Sequence, residues 1–433
     1  MQNLVYPYRT LPNGASTSDN QSLELAEIRT LTSRIKVDSF NRQRVSNPTG
    51  IFDAQFTYDL NPLIYEQITN GSGASIAHSA TNRVAVMTFS STPTGGKSYM
   101  QSYEYIPYQP GKSQQVFITF NFKTAVANCM KFAAYGDINN SMEFRQNGLI
   151  KQLAILSDTE LGDQIIDQPN WNTDTLDGSS NANNPSGLTL DISKIQFFTL
   201  DFQALYSGVV RMGFDIAGEI VYAHNFRHAN SALHTYIQYA TLPIRVGMTC
   251  TGTVSTTMEF NCCSVASEGG REENTPYHFV TPEGTVTAGS AARTHLLSVR
   301  PKLTFNSITN RAKINIESID IVNMGSNTIF WELCIGQAIT TNTTFLDVNA
   351  TYSLVEYNNL GTISGASAIV IDSGYVTATN QSKTATAKDI GSKFPFTLDA
   401  AGLQRLNGTV SLVVTGIGGA SACRGTISWK GAR

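Results

Sequence analysis

Between Leu188 and Asn230 the apolar positions gather at strand length three times in succession. Ile192, Ile195, Phe197, Phe198, Leu200 and Phe202 form a run that opens alternating and becomes nearly continuous. Val209, Val210, Met212 and Phe214 form a second, and Ile220, Val221, Tyr222 and Phe226 a third. The runs are rich in aromatic and β-branched residues. Tyr206-Ser207-Gly208 and Asp215-Ile216-Ala217-Gly218 separate them, which predicts a central meander of antiparallel hairpins. Such a meander needs a cover on one face, so flanking strands are expected to close a sandwich over it.

The pattern extends both ways. Phe52, Phe56 and Tyr58 alternate with polar residues, as do positions 83–89; segments 99–108 and 116–122 follow, with turns at Gly71-Ser72-Gly73, Pro93-Thr94-Gly95-Gly96 and Gln109-Pro110-Gly111-Lys112. A low-complexity loop runs from Pro169 to Gly187. The run Glu268-Gly269-Gly270-Arg271-Glu272-Glu273 reads as a linker, placing a boundary between about 270 and 290. Beyond it, short strands recur at roughly ten-residue spacing, the pattern of a second sandwich. The expected fold is all-β, with two β-sandwich (jelly-roll-like) domains at 51–275 and 290–433. An N-terminal arm, 1–50, precedes them, with a short helix at 23–32 capped by Ser22. The arm has no core of its own and is expected to reach a neighbouring subunit through Leu4, Tyr6 and Tyr8. Trp171, Phe226 and Arg227 are further interface candidates, with a neighbouring subunit or another particle protein covering Trp171.

Composition narrows the classes. Hydrophobic residues are 41% of 433, enough for real cores, while charged residues are only 15%. Few charges suit large subunit contacts, and a net charge of −3 offers no basic face for nucleic acid. No apolar run approaches the roughly 18 residues of a membrane span, and the first residues lack the pattern of a signal peptide. Cys129, Cys250, Cys262, Cys263, Cys334 and Cys423 match no zinc or disulfide framework and are expected to be free thiols.

Candidate chemistry is sparse. Gly95-Gly96-Lys97-Ser98 lacks the earlier glycine of a phosphate loop, whose position holds Ser91, and reads as a hairpin turn. His224, His228 and His234 lie on a strand and loop rather than a helix, and read as hydrogen-bonded structural histidines. Asn172, Asp174 and Asp177-Gly178 offer oxygen ligands, but their spacing departs from a calcium loop and matches self-bonded turns. No metal, cofactor or catalytic residue is therefore assigned. Paired carboxylates for glycoside hydrolysis remain open, because their separation is spatial, and Trp171 beside the polar loop could stack on a sugar.

Several phrases taken together carry a resemblance. Phe40-Asn41-Arg42-Gln43-Arg44-Val45-Ser46-Asn47-Pro48 runs into Ile51-Phe52-Asp53, and Tyr108-Gln109-Pro110-Gly111-Lys112-Ser113 follows. Gln168-Pro169-Asn170-Trp171-Asn172, Val210-Arg211-Met212-Gly213-Phe214 and His224-Asn225-Phe226-Arg227-His228-Ala229-Asn230 come next. Leu242-Pro243-Ile244-Arg245, Ser267-Glu268-Gly269-Gly270 and Ser298-Val299-Arg300-Pro301 close the series. Over about residues 40–375 this ensemble resembles β-rich virion structural proteins of tailed bacteriophages, cyanophages among them, and of some large DNA viruses. The resemblance implies a non-enzymatic structural component of a virus particle, in tail, neck, fibre or capsid decoration, assembled in the host cytoplasm. Its expected partners are copies of itself, a trimer favoured, and other virion proteins, with host-surface glycan as a further partner. The alternative reading is a carbohydrate-binding receptor-recognition protein or a glycan depolymerase.

Overall fold

The computed structural model describes residues 37–38, 47–203, 206–270, 277–364, 368–378, 383–384 and 396–432. Leu4, Tyr6 and Tyr8 and the helix expected at 23–32 lie outside the described residues. Two sheets form from residues 48–268. The eight-stranded sheet runs Glu219–Phe226, Val210–Ile216, Gln196–Gln203, Ser113–Asn121, Val254–Glu268, Val84–Thr92, Ala74–Ser79, with Pro48–Gln55 also on Val254–Glu268. The seven-stranded sheet runs Gln164–Asp167, Ile150–Leu156, Ser141–Asn147, Cys129–Gly136, Ile244–Cys250, Lys97–Ser102, Tyr65–Asn70. A five-stranded and a six-stranded sheet make a second sandwich from 277–432, with its own apolar cluster. The fold is all-β and sandwich-like, as the alternation predicts. Among the described residues the helical elements are two single turns, Gln168–Asn170 and Leu406–Gly408.

The three apolar runs do form a meander, Gln196–Gln203, Val210–Ile216 and Glu219–Phe226, each paired with the next. Ala217 and Gly218, at φ 55° and 88°, make the tight turn between the last two, a conformation glycine reaches without strain. The meander nevertheless lies at the sheet's edge rather than at its centre. The centre belongs to Ser113–Asn121 and Val254–Glu268. Apolarity reports that a strand buries a face, and an edge strand over a full core buries one as completely as a central strand.

Pleat alternation assigns the two faces. In Ser141–Asn147, Met142 and Phe144 point inward and are buried. Phe144 stacks with Phe122 at 5.5 Å and meets Phe214 of the opposite sheet edge-on at 5.1 Å. At the rim of the sandwich Lys131, 1% exposed, ties the two sheets together. Its ammonium donates to the carbonyls of Phe122, Thr124 and Thr257 and to Thr256 Oγ1. Four oxygens satisfy a charge that would otherwise be costly to bury.

Loop 169–187 folds onto its own domain. Trp171 is 3% exposed within the main core, its indole N–H donating to Ile166 O at 3.2 Å. The cover expected from a neighbouring subunit is thus supplied by the chain itself. Thr173 and Asp174 N–H both donate to Ala223 O at 3.1 Å, pinning the loop to the meander's outer strand. The loop's side-chain oxygens accept local N–H groups: Asp174 from Leu176 and Ser186, Asp177 from Ser179, Asn172 from Asn225. Phe226 is buried at 4%, and Arg227 beside it is exposed.

The histidines have separate partners. His224 Nδ1 accepts the Asn172 N–H at 3.1 Å. His228 Nδ1 pairs with Gly208 O at 2.9 Å and its Nε2 with Gln164 at 3.0 Å, while His234 pairs with Glu160 at 3.2 Å. In the second sandwich His295 bridges Gly361 O and Ser298 Oγ.

Burial pulls both His224 and His295 down to about 4, from an ordinary 6.5. The unfolded chain therefore takes up protons between pH 6.5 and 4 that the folded chain refuses. The stability that these two rings contribute should be full above pH 6.5 and decline as pH falls to 4, by at most on the order of 3 kcal/mol for His295 and less for the better-solvated His224. Urea unfolding of a His224→Gln/His295→Gln protein across this window should show a flatter decline; slopes equal to those of the parent would disprove the assignment. The six free cysteines generate a second expectation. Five are buried, and burial pushes Cys129, Cys334 and Cys423 up to about 11 and Cys263 to about 12. Thiol titration should find at most Cys262 reactive in the native protein and six thiols after unfolding without reductant; fewer than six would require disulfides.

Candidate functional site

The outward side of the seven-stranded sheet carries charge where an ordinary solvated face would be exposed. The residues alternating with Met142 and Phe144 are Ser141, Glu143 and Arg145. Register aligns them in two rows. One crosses Ile165, Ala154, Glu143, Ala134, Arg245, Gln101 and Glu66; the other crosses Asp167, Gln152, Arg145, Phe132, Gly247, Tyr99 and Ile68.

Glu143 is the centre, 1% exposed. Its Oε1 lies 3.4 Å from Arg145 Nη1 and its Oε2 3.2 Å from Arg245 Nη2, with Ser141 Oγ donating to Oε2 at 3.1 Å. Arg245 reaches Glu143 from two strands away, passing over Ala134, whose methyl leaves the path clear. The guanidinium also lies 4.5 Å above the Phe132 ring, which stands 6.0 Å from Tyr99. Arg145 Nε donates to Gln152 Oε1 at 2.9 Å, and Gln152 Nε2 to Asp167 Oδ1 at 2.7 Å. Arg245 Nε, by contrast, is buried without a partner. Glu143 and Asp167 stand two strands and two residues of register apart, about 12 Å between backbones at ordinary strand spacing. That is wider than the roughly 5 Å of a retaining glycosidase pair.

Exposure grades along this face. Asn70, Asn147 and Ile150 are exposed at one end, Tyr99 and Asp167 are half-buried, and Glu143 and Gln101 are buried. The second sandwich closes the buried end. Ala400 N–H donates to Glu66 Oε2 at 2.7 Å, and the Arg405 and Arg311 guanidiniums lie 3.7 and 4.7 Å from the Tyr103 and Tyr105 rings. Tyr105 in turn links Gln101 to Asp137. Burial pushes the Tyr99 phenol above its ordinary range, against a smaller pull from Arg245, and pushes the Glu66 carboxyl up as well. The arrangement is a buried charged array on a sheet face, with the second sandwich packed against one end of it.

None of the interface, metal or sugar-stacking candidates named from the sequence lies in this array, although Arg245 belongs to one of the phrases that carry the resemblance. Trp171 and Phe226 are core, Arg227 is on the surface, and the arm residues lie outside the described residues. The signal present was Glu143-x-Arg145 alternating with Met142 and Phe144 in a short strand; in isolation it reads as an ordinary polar face.

No family model matches the chain, and no curated protein matches it. Solved structures share its sandwich architecture over about half its length. An endo-β-1,4-glucuronan lyase from the fungus Trichoderma reesei is 15% identical, aligning 50% of this chain with 95% of its own at a TM-score of 0.34. An endo-acting O-glycanase of the human gut microbiota is 9% identical, with 51% and 99% covered and a TM-score of 0.35. A carbohydrate esterase from Shiga toxin-encoding bacteriophage phi24B is 10% identical, with 52% and 100% covered and a TM-score of 0.32. The expectation of a non-enzymatic chain is corrected here: catalysts stand among the proteins of similar architecture, so a β-sandwich pattern without a catalytic motif does not mark a non-enzyme.

Removing Glu143 would leave two buried guanidiniums facing each other. Glu143→Ala should lower unfolding free energy by about 3–5 kcal/mol in urea titration, the usual cost of an uncompensated buried charge. A loss under about 1 kcal/mol would mean that solvent already screens the cluster.

Proposed function

We propose that this chain is a glycan-acting protein of a virus particle, and that the outward face of its seven-stranded sheet receives an anionic saccharide. The observation that carries the reading is Glu143 held between Arg145 and Arg245 with Arg245 Nε unpartnered. Around Glu143 itself two guanidiniums face one carboxylate, with Glu66 and Asp167 at the ends of the two rows, so a ligand carboxylate or sulfate would pair with the Arg245 edge that the protein leaves without a partner. Tyr99 offers a half-exposed ring for a sugar face and a phenol for its hydroxyls. The placement on a particle is supported by the resemblance of the quoted phrases to virion structural proteins.

An array of acidic oligosaccharides, uronic and sulfated, should be bound by the parent protein more weakly as salt rises. Arg245→Gln and Tyr99→Phe should weaken that binding, the former at least tenfold, in line with about 1.5–3 kcal/mol for a charge-assisted hydrogen bond. Mass analysis of the incubated glycans would report chain shortening, and immunogold labelling of purified virions would report location. Acidic glycan bound equally by parent and Arg245→Gln proteins would refute the site.

A further inference from the structure

We propose that the second sandwich carries a separate site for an uncharged saccharide, in the cleft beside the hairpin Thr304–Phe305/Ile308–Thr309. The cleft encloses about 430 Å³ and is lined by Arg300, Lys302, Leu303, Phe305, Asp347 and Glu356, among others. That volume falls within the range of small-molecule sites.

Its floor is built by register. Asp347, Glu356 and Arg300 sit side by side across Leu346–Asp347, Val355–Asn358 and Thr294–Pro301. Arg300 Nε binds Glu356 Oε1 at 2.6 Å, and Lys302 Nζ binds Asp347 Oδ1 at 2.7 Å. Phe345 packs under the Arg300 guanidinium at 3.8 Å, holding its plane. Two cations are therefore matched by two carboxylates. A phosphate or a metal ion would have to break one of these pairs, whereas a hydroxyl, which both donates and accepts, breaks none. Partners for hydroxyls remain: among the described residues Arg300 donates through Nε alone, and Asp347 and Glu356 each keep a second carboxylate oxygen. On the cleft's wall stands the half-buried Phe305 ring, with the Lys302 ammonium 6.0 Å from its centroid. Asn306 and Ser307, at φ 50° and 65°, form the two-residue turn that holds its hairpin rigid. An aromatic wall over a neutral floor of mixed donors and acceptors fits a sugar ring, apolar on one face and hydroxylated at its rim.

The test uses the full chain and four neutral hexaoses, of cellulose, xylan, mannan and starch type, in saturation-transfer NMR and calorimetry. At least one should bind, with Phe305→Ala and Asp347→Asn each weakening it at least tenfold. Both residues are partly or fully exposed, and an unchanged urea midpoint will verify the fold. Failure of all four hexaoses, binding indifferent to Phe305→Ala, or displacement by inorganic phosphate would each overturn the proposal. Acidic-glycan binding at the sheet face responds to Arg245→Gln instead, so the two sites fail separately.

Discussion

Phe144 holds the register on which the rest of the first sandwich depends. It lies between Phe122, Phe198 and Phe214, so the strand Ser141–Asn147 cannot slide without emptying the core. Because strand side chains alternate strictly, a fixed Phe144 fixes Glu143 and Arg145 on the opposite face. A slip of one residue would put a carboxylate and a guanidinium among phenylalanines, a cost far above that of any surface rearrangement. The aromatic core and the charged floor are two consequences of one pleat.

The second sandwich packs against one end of that floor. Arg311 and Arg405 lie over Tyr105 and Tyr103, Ala400 caps Glu66, and Lys313 pairs with Glu104. These contacts join the two sandwiches through planar guanidiniums on aromatic rings, a mode that tolerates partial hydration while setting orientation. They lie at the buried end of the charged face. The outward residues thus pass from wet, at Asn147 and Ile150, to nearly dry at Glu143 within a single strand's length. Electrostatic interactions strengthen along the same gradient, which places the best-ordered charges deepest.

Alternation, aromatic runs and turn residues along the chain were enough to read an all-β, two-sandwich protein, including the meander and its Ala217-Gly218 turn. They are local properties, written in period two and in the conformational freedom of single residues. The charged site was not legible in the same way. Glu143 and Arg245 meet across 102 positions of sequence, and nothing local distinguishes a buried outward carboxylate from a solvated one. Trp171 shows the converse: its polar neighbours suggested an exposed ring needing a partner, while the fold of loop 169–187 brings the core to it. By itself, then, the sequence determined which positions face a core and where the chain turns, because those depend on neighbours along the chain. Tertiary structure alone decided which strands lie at an edge, which outward charges are dry and what they pair with, because burial and pairing depend on segments that meet only when the sandwich closes.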